Sequence, residues 1–297
     1  MLRSMFAGVS GLRNHQLKMD VIGNNIANVN TAGYKASRIV FQEMFSQTIN
    51  NASAPSGNTG GVNPKQVGLG VRTASIDVQH STGSAQSTEN PLDFMIDGEG
   101  FFVIQDGTEI YYTRAGNFYL DTEGYLVTAN GAYVLGLGGQ NVNALTGEVT
   151  YPAGGTKTKS VDGTYSLANL FTSRIPDTDY YSSYTIDKSG TVYAIETNGS
   201  ALVTIGQIAI ATFVNPEGLT RVGDNLYVSS SNSGTPRYKE PDTEGAGPLL
   251  GGTLEMSNVD LSREFTEMII TQRGFQANSR VITVSDTLLE ELINLKR

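Results

Sequence analysis

The stretch of sequence that decides the fold is residues 2–29, LRSMFAGVSGLRNHQLKMDVIGNNIANV. Apolar side chains recur along it every seven residues, with a companion set three or four residues away. The members of this stripe are Leu2, Met5, Val9, Leu12, Met19 and Ile26. Such a period predicts a long helix with one apolar seam that packs on another helix.

A run rich in Asn and Gly follows this stripe. Both residue types tolerate left-handed backbone, and Asn also competes for local hydrogen bonds, so the run is predicted to end the helix and turn the chain away. The residues of this predicted helix-end linker are Asn24, Asn25, Asn28, Asn30, Gly33 and Tyr34.

The C-terminal region returns to the same seven-residue period, and a second long helix is predicted there. Its apolar seam consists of Leu261, Phe265, Met268, Phe275, Ile282, Leu289 and Ile293. The residues just before it offer several capping side chains, and the candidates are Ser257, Asn258, Asp260 and Ser262.

Short β-strands are predicted between the two helices. Many Gly beside Thr, Tyr and Val favour strands joined by tight turns. Turn signals stand at Asp106-Gly107, at 121–124 and at 187–190. The fold class is therefore α+β, with helices at both ends and a mainly β body.

Four regions follow from these patterns. Residues 1–30 and 257–297 form one helical domain, 31–70 a linker or extended arm, and 71–256 a β-rich domain. The weakly patterned residues 138–183 are a candidate reduced insertion within the last of these. The polar stretch 46–70 is long for a connection inside a domain, and connections of that length are often functional.

One buried seam does not offset the entropy lost in ordering helices of this length, so each helix needs partners on more than one side. Further apolar groups off the seams could meet such partners; they are Phe6, Val21, Ile22, Ile269, Ile270, Val281, Val284, Leu288 and Leu292. The pattern favours a bundle between subunits, although packing of both helices on the β body is the plainer alternative.

Composition excludes several classes of function. The formal net charge is −9 with no basic cluster, which argues against a nucleic-acid partner. Absence of cysteine excludes disulfides, thiolate metal sites and a cysteine nucleophile. No cleaved secretory signal and no membrane-length apolar run are recognisable, so no membrane partner is expected.

No pattern for catalysis, metal binding or a cofactor stands out. The two histidines, His15 and His80, lie far apart in sequence, and Asp177 and Asp179 do not begin a twelve-residue calcium loop. Nucleophile-elbow, phosphate-loop and dinucleotide motifs are missing. We therefore expect no catalytic residue, no metal and no cofactor, and an enzyme or a secreted adhesin-like binding module is a weaker hypothesis.

Several motifs in order resemble one family, the bacterial flagellar rod and hook axial proteins. Residues 19–35, MDVIGNNIANVNTAGYK, resemble its N-terminal signature, and residues 90–103, NPLDFMIDGEGFFV, resemble its central motif. The similarity continues through YTRAGNF at 112–118 and GYLVTANG at 124–131. At the C-terminus, SNVDL at 257–261, QRGFQANS at 272–279 and LINLKR at 292–297 are most similar to the hook branch.

This resemblance implies a tubular polymer of one subunit. The terminal helices would pair as an inner coiled-coil domain around a channel, and the β body would form the outer wall. Implied partners are other copies of the chain and the rod, hook-cap and hook–filament junction proteins. The implied location is the extracellular flagellum, reached through the flagellar type III route without a cleaved signal. The distal rod branch is the alternative, because that branch also carries a long segment at the position of residues 46–70.

Overall fold

The described part of the chain contains two long helices, 23 strands and a short 3-10 helix at Pro216–Gly218, and its paired strands are antiparallel. The computed structural model describes residues 2–55, 60–122, 124–137, 141–142, 149–150, 170–172, 181–196, 202–243 and 245–295. The candidate insertion at 138–183 therefore lies largely outside the described residues. The α+β class predicted from the sequence is confirmed.

The helices are α1 (Leu2–Ala27) and α2 (Leu261–Asn294). The strands are β1 (Ser37–Glu43), β2 (Ser46–Asn50), β3 (Lys65–Gly68), β4 (Val71–Val78), β5 (Ala85–Ser87), β6 (Phe94–Ile96), β7 (Phe101–Asp106), β8 (Glu109–Thr113), β9 (Tyr119–Leu120), β10 (Leu126–Val127), β11 (Tyr133–Leu137), β12 (Asn141–Val142), β13 (Val149–Thr150), β14 (Leu170–Thr172), β15 (Tyr181–Ile186), β16 (Thr191–Glu196), β17 (Leu202–Ile208), β18 (Ile210–Thr212), β19 (Thr220–Gly223), β20 (Leu226–Val228), β21 (Arg237–Lys239), β22 (Leu249–Gly251) and β23 (Thr253–Glu255).

The chain divides into two units. The first, here called the helical unit, contains Met1–Val29, Ala36–Gln79 and Val259–Arg297, and the second, the body, contains Asn30–Lys35 and His80–Asn258. These bounds differ from the sequence-based regions, since residues 36–79 group with the helices, whereas the sequence patterns separated 31–70 as a linker and began the β-rich domain at residue 71.

Both helices of the helical unit form where the sequence predicts them. At ~1.5 Å per residue, the 26 residues of α1 and the 34 residues of α2 span roughly 39 and 51 Å. Asp260, one of the candidate caps, accepts hydrogen bonds from the amides of Ser262 and Arg263 at 2.9 and 3.3 Å, and so satisfies two donors that the first turn leaves free.

A two-stranded antiparallel sheet packs on α1 within the same unit. Strand β1 pairs with β4 from Ser37 opposite Val78 to Glu43 opposite Val71. On α1, Asn14 donates to the carbonyl oxygen of Val71 at 2.7 Å and accepts from the hydroxyl of Thr73 at 2.8 Å. Polar side chains of the helix therefore fix the start of β4.

The polar stretch 46–70 forms an arm. Strands β2 and β3 pair with each other from Ser46 opposite Gly68 to Asn50 opposite Lys65, and a bridge joins Ser53 to Val62 further out. The described residues of both strands are exposed along their length. The stretch is thus a two-stranded extension of the polypeptide.

The body is built on a 13-stranded sheet with the path β15-β16-β17-β11-β7-β8-β20-β19, to which β9, β10, β14, β18 and β21 are attached. Central strand β7 pairs with β8, β11 and β18. Successive side chains of β7 lie in two different hydrophobic cores, one on each face of the strand. One core contains Phe94, Phe102, Phe118 and Ile208, and the other contains Phe101, Tyr112, Leu135 and Tyr227. These buried apolar residues make the body a fold with its own interior.

Candidate assembly site on the terminal helices

Helices α1 and α2 contact each other in antiparallel orientation. The hydroxyl oxygens of Ser4 and Ser285 lie 3.5 Å apart, and the ammonium of Lys18 lies 2.6 Å from the carboxylate of Glu267. Because the partner's number falls as the number in α1 rises, the two helices run in opposite directions.

Glycine lets the two helices approach closely. A Cβ atom added to Gly8 would lie 3.3 Å from Cγ1 of Ile282, and one added to Gly11 would lie 2.7 Å from the side-chain nitrogen of Asn278. From the other side, a Cβ atom on Gly274 would lie 2.7 Å from the ring of His15. Larger side chains at these positions would force the helices apart.

The face of α1 that meets α2 is not the predicted apolar stripe. It carries small and polar residues, and these are Ser4, Gly8, Gly11, His15, Lys18 and Asn25. Their spacing alternates by four and three as far as Lys18 and is seven from Lys18 to Asn25, and the intervening position holds the buried residue Ile22. The stripe lies one position further along the chain. There Met5, Leu12, Met19 and Ile26 are half-buried and Val9 is exposed, while the side chain of Leu2 lies outside the described set. Their role between subunits stays a prediction.

The predicted seam of α2 divides into two parts. Met268, Phe275, Ile282 and Leu289 are half-buried, and Ile282 lies at the contact with Gly8. By contrast Leu261, Phe265 and Ile293 are exposed, with Ile293 at 67%. The seam is thus partly occupied by α1 and partly open.

A second apolar face of α2 is exposed and was not part of the predicted seam. It repeats at spacings of three and four through Val281, Val284, Leu288, Leu292 and Leu295. The sequence alone identifies the first four only as apolar residues off the seam. The last turns of α2 extend beyond the start of α1, because Ser4 near that start meets Ser285 whereas α2 continues to Asn294.

Most of α1 and all of α2 lie in regions of the chain that match models of known protein families. Three family models match the chain, namely flagella basal body rod protein at residues 5–35, flagellar hook protein FlgE/F/G D1 domain at 95–194 and flagellar basal body rod FlgEFG protein C-terminal at 250–295. A flagellar basal-body rod protein FlgG from Bacillus subtilis (strain 168) is 47% identical over 298 residues that cover 100% of both chains. A flagellar hook protein FlgE from Borreliella burgdorferi is 34% identical over 442 residues, again with 100% of both chains covered.

The chain belongs to the flagellar hook and rod protein family. It is a structural protein of the flagellum and not an enzyme. Relatives named for the rod and for the hook both cover the whole chain.

In this hook and rod family member, the predicted helix-end linker is split between the two units. Asn24 and Asn25 lie inside α1, which continues to Ala27, so the assignment of these two residues to the helix-end linker is wrong. The amide of Asn28 donates to the carbonyl oxygens of Asn24 and Asn25 at 3.2 Å and closes the helix. Asn30, Gly33 and Tyr34 belong to the body.

Asn25 remains helical because a strand satisfies its side chain. The side chain is 1% exposed, donates to the carbonyl oxygen of Ser37 at 2.9 Å and accepts from the amide of Ser37 at 3.0 Å. It also donates to Glu264 of α2 at 3.3 Å, and burial raises the pKa of the Glu264 carboxyl. One side chain therefore joins α1, α2 and β1.

On the body side, the linker is held by the β19–β20 hairpin. Asn225 in its turn donates to the carbonyl oxygen of Ala32 at 3.1 Å, and Arg221 donates to the carbonyl oxygen of Lys35. The guanidinium carbon of Arg221 also lies 5.0 Å from the ring centre of Tyr34, a distance that permits a cation–π contact.

Neither histidine forms part of a metal site in the described part of the chain, where no group of three or more His, Asp or Glu residues could hold an ion. His15 faces Phe41, and burial together with Lys18 lowers its pKa. His80 lies 5.4 Å from the ring centres of Phe101 and Tyr227, and burial, reinforced by nearby cations, lowers its pKa to about 3. Among the described helices, none is long and apolar enough to cross a membrane.

Proposed function

We propose that this chain polymerises with copies of itself into a tube of the flagellar axis, and that α1 and α2 form the coiled-coil interface of that polymer. The observation that carries the proposal is the exposed apolar surface that remains after α1 and α2 have paired. On α2 the second face, from Val281 to Leu295, is exposed although it is apolar and regularly spaced. Exposed apolar surface of this extent is typical of interaction sites.

We place the tube in the hook. The C-terminal motifs at 257–261, 272–279 and 292–297 support this, since they resemble the hook branch most closely. Full-length similarity to hook proteins FlgE of Borreliella burgdorferi and Treponema pallidum, at 34% and 31% identity, is consistent with it. A hook subunit would act in a flexible joint that transmits torque from rod to filament.

The distal rod is a second candidate, and two observations favour it. The relative named for the basal-body rod aligns over 298 residues with 47% identity, whereas the alignments with the two hook proteins extend over 442 and 464 residues. The arm formed by β2 and β3 lies in the segment whose length is a mark of the distal rod branch.

The remaining partners and the route of export follow from the same proposal. A hook subunit would meet the rod at one end and the hook-cap and hook–filament junction proteins at the other. It would reach the extracellular flagellum through the flagellar type III route. Neither nucleic acid nor a membrane is a partner in this proposal.

A charge on the second face of α2 tests the interface. Leu288→Asp should raise the concentration needed for polymerisation by about tenfold to a hundredfold, since ~1.5–3 kcal/mol of apolar burial is lost at each contact and a buried charge adds a further cost. Thr287→Asp is the matched control, because it adds the same charge one residue away on a polar stripe with Thr266, Arg273 and Arg280.

Sedimentation assays measure this concentration, and electron microscopy of the wild-type polymer separates the two candidates. Curved tubes are expected for a hook, whereas straight rigid tubes would favour the rod. If Leu288→Asp and Thr287→Asp polymerise alike, the second face of α2 is not an interface.

A further inference from the structure

A buried carboxylate in the body holds two buried cations. The ammonium of Lys35 lies 2.5 Å from Oε1 of Glu255, and the guanidinium of Arg114 lies 3.4 Å from Oε2. The side chains of Lys35 and Glu255 are 0% exposed, and that of Arg114 is 2% exposed. No water-facing position is available to any of the three charges, so each depends on its partners.

The same glutamate also joins backbone segments. Its Oε1 accepts from the amide of Gly83 at 2.8 Å, and its carbonyl oxygen accepts from the amide of Gly33 at 2.8 Å. Lys35 in turn donates to the carbonyl oxygen of Ser81 at 2.8 Å. Glu255 thereby connects residues 30–35, residues 80–84 and strand β23.

Close backbone packing reinforces these connections. The amide of Met256 donates to the carbonyl oxygen of Ser84 at 2.9 Å, and Asn258 donates to the hydroxyl of Ser81 at 3.0 Å. A Cβ atom at Gly83 would lie 1.9 Å from the carbonyl oxygen of Met256, so only glycine permits this approach.

These three segments adjoin the points at which the chain passes between the helical unit and the body. The polypeptide passes between the helical unit and the body at four points, which follow Val29, Lys35, Gln79 and Asn258. Every one of these points is flanked by a segment that Glu255 or its immediate neighbours bind. Any force carried along the backbone between the two units therefore enters the body beside this cluster.

We propose that Glu255 is the anchor of the body, a residue whose buried carboxylate locks together all the segments through which the chain enters and leaves the helical unit. It holds these segments ordered in the unassembled subunit. The anchor acts inside the body, so it does not depend on whether the polymer is a hook or a rod.

Amide hydrogen exchange on the full-length chain, kept below its polymerisation concentration, tests the proposal. Glu255→Gln keeps the shape of the side chain but removes its charge. We expect exchange at residues 30–35 and 80–84, including the amides of Gly33 and Gly83, to accelerate at least tenfold, with a much smaller change in β7 and β8.

Val134→Ala is the control, because it creates a cavity in the core at a fully buried residue of β11. A general loss of stability raises exchange throughout the sheet, including its slowest amides, and does not select residues 30–35 and 80–84. Equal patterns in Glu255→Gln and Val134→Ala would overturn the proposal, as would wild-type exchange at Gly33 and Gly83 in Glu255→Gln.

Two further variants distinguish the lost ion pair from other effects. Adding Lys35→Met to Glu255→Gln removes the ammonium that has lost its carboxylate, and we expect at least a threefold recovery of protection at Gly33. Residues 80–84 are not compared in this variant, because Lys35→Met also removes the hydrogen bond to the carbonyl oxygen of Ser81. Should Glu255→Gln fail to fold, Glu255→Asp keeps the charge and shortens its reach. It is expected to give the same selective pattern in milder form, and uniform loss of protection in that variant would refute the anchor.

Discussion

Gly33→Ala is expected to destabilise the body strongly, because the substitution has both a conformational cost and a steric cost. Gly33 has φ of +69°, a left-handed conformation that costs an L-residue roughly 1–2 kcal/mol. A Cβ atom there would also lie 2.5 Å from the backbone nitrogen of Ala115 and 2.7 Å from the carbonyl carbon of Arg114. Relief of such an overlap requires a backbone shift that costs about 1–3 kcal/mol. The free energy of unfolding should therefore fall by about 2–5 kcal/mol.

Gly107→Ala separates the two penalties. Gly107 has φ of +61°, and a Cβ atom there would meet nothing within 4 Å, so only the conformational cost applies. Urea denaturation followed by tyrosine fluorescence measures both variants, since the chain has 14 tyrosines and no tryptophan. Gly33→Ala should lose at least about 1 kcal/mol more than Gly107→Ala. Equal losses would refute the argument that close packing of the linker on residues 114–115 requires glycine.

Two further predictions concern buried polar side chains. His80 should make stability depend on pH, because its pKa is about 3 in the folded body and ~6.5 in the unfolded chain. Between these two pH values the unfolded chain binds a proton that the folded chain does not bind. The free energy of unfolding therefore falls as pH falls, by up to ~1.4 kcal/mol per pH unit. In His80→Gln this contribution to the slope between pH 6.5 and 3 should vanish, and an unchanged slope in urea titrations would contradict it. Asn25→Leu should destabilise the helical unit by about 2–4 kcal/mol, because the amide and carbonyl of Ser37 lose their buried partner. Asn24→Leu, on the exposed side of the same turn, should change it by less than about 0.5 kcal/mol, and circular dichroism melts that rank the two variants equally would exclude the bridging role of Asn25.

Local signals in the sequence predicted the elements well. Both helices follow from their apolar period, and Asp260, one of four candidate caps in the sequence, is the residue that caps α2. The turns at 106–107 and 187–190, and the described residues of the turn at 121–124, are confirmed as connections between paired strands, with Gly107, Gly124 and Gly190 all at positive φ. Each of these features depends on residues that are neighbours in the chain.

Features that depend on distant residues were not predictable. Asn25 sits in α1 because Ser37 satisfies its amide, and an Asn that could end a helix carries no local mark of such a partner. Lys35 and Glu255 are separated by 220 residues in the chain, and each is of a residue type that usually lies on the solvated surface. Burial of a charge is decided by its partner, and the sequence does not state which residues become partners.

The apolar stripe of α1 shows most clearly what a period can and cannot predict. A seven-residue repeat reports that one face of the helix is apolar, but two adjacent faces of the same helix share that repeat with a shift of one residue. In α1 the face with Gly8 and Gly11 meets α2, because glycine permits a closer approach than Leu12 or Met19 would. The apolar stripe is therefore left half-buried beside the contact, as is expected if the pairing of α1 with α2 is only the first of the contacts that these helices make. The contact of α1 with α2 does not require the apolar repeat of α1, so the repeat supports partners outside the chain.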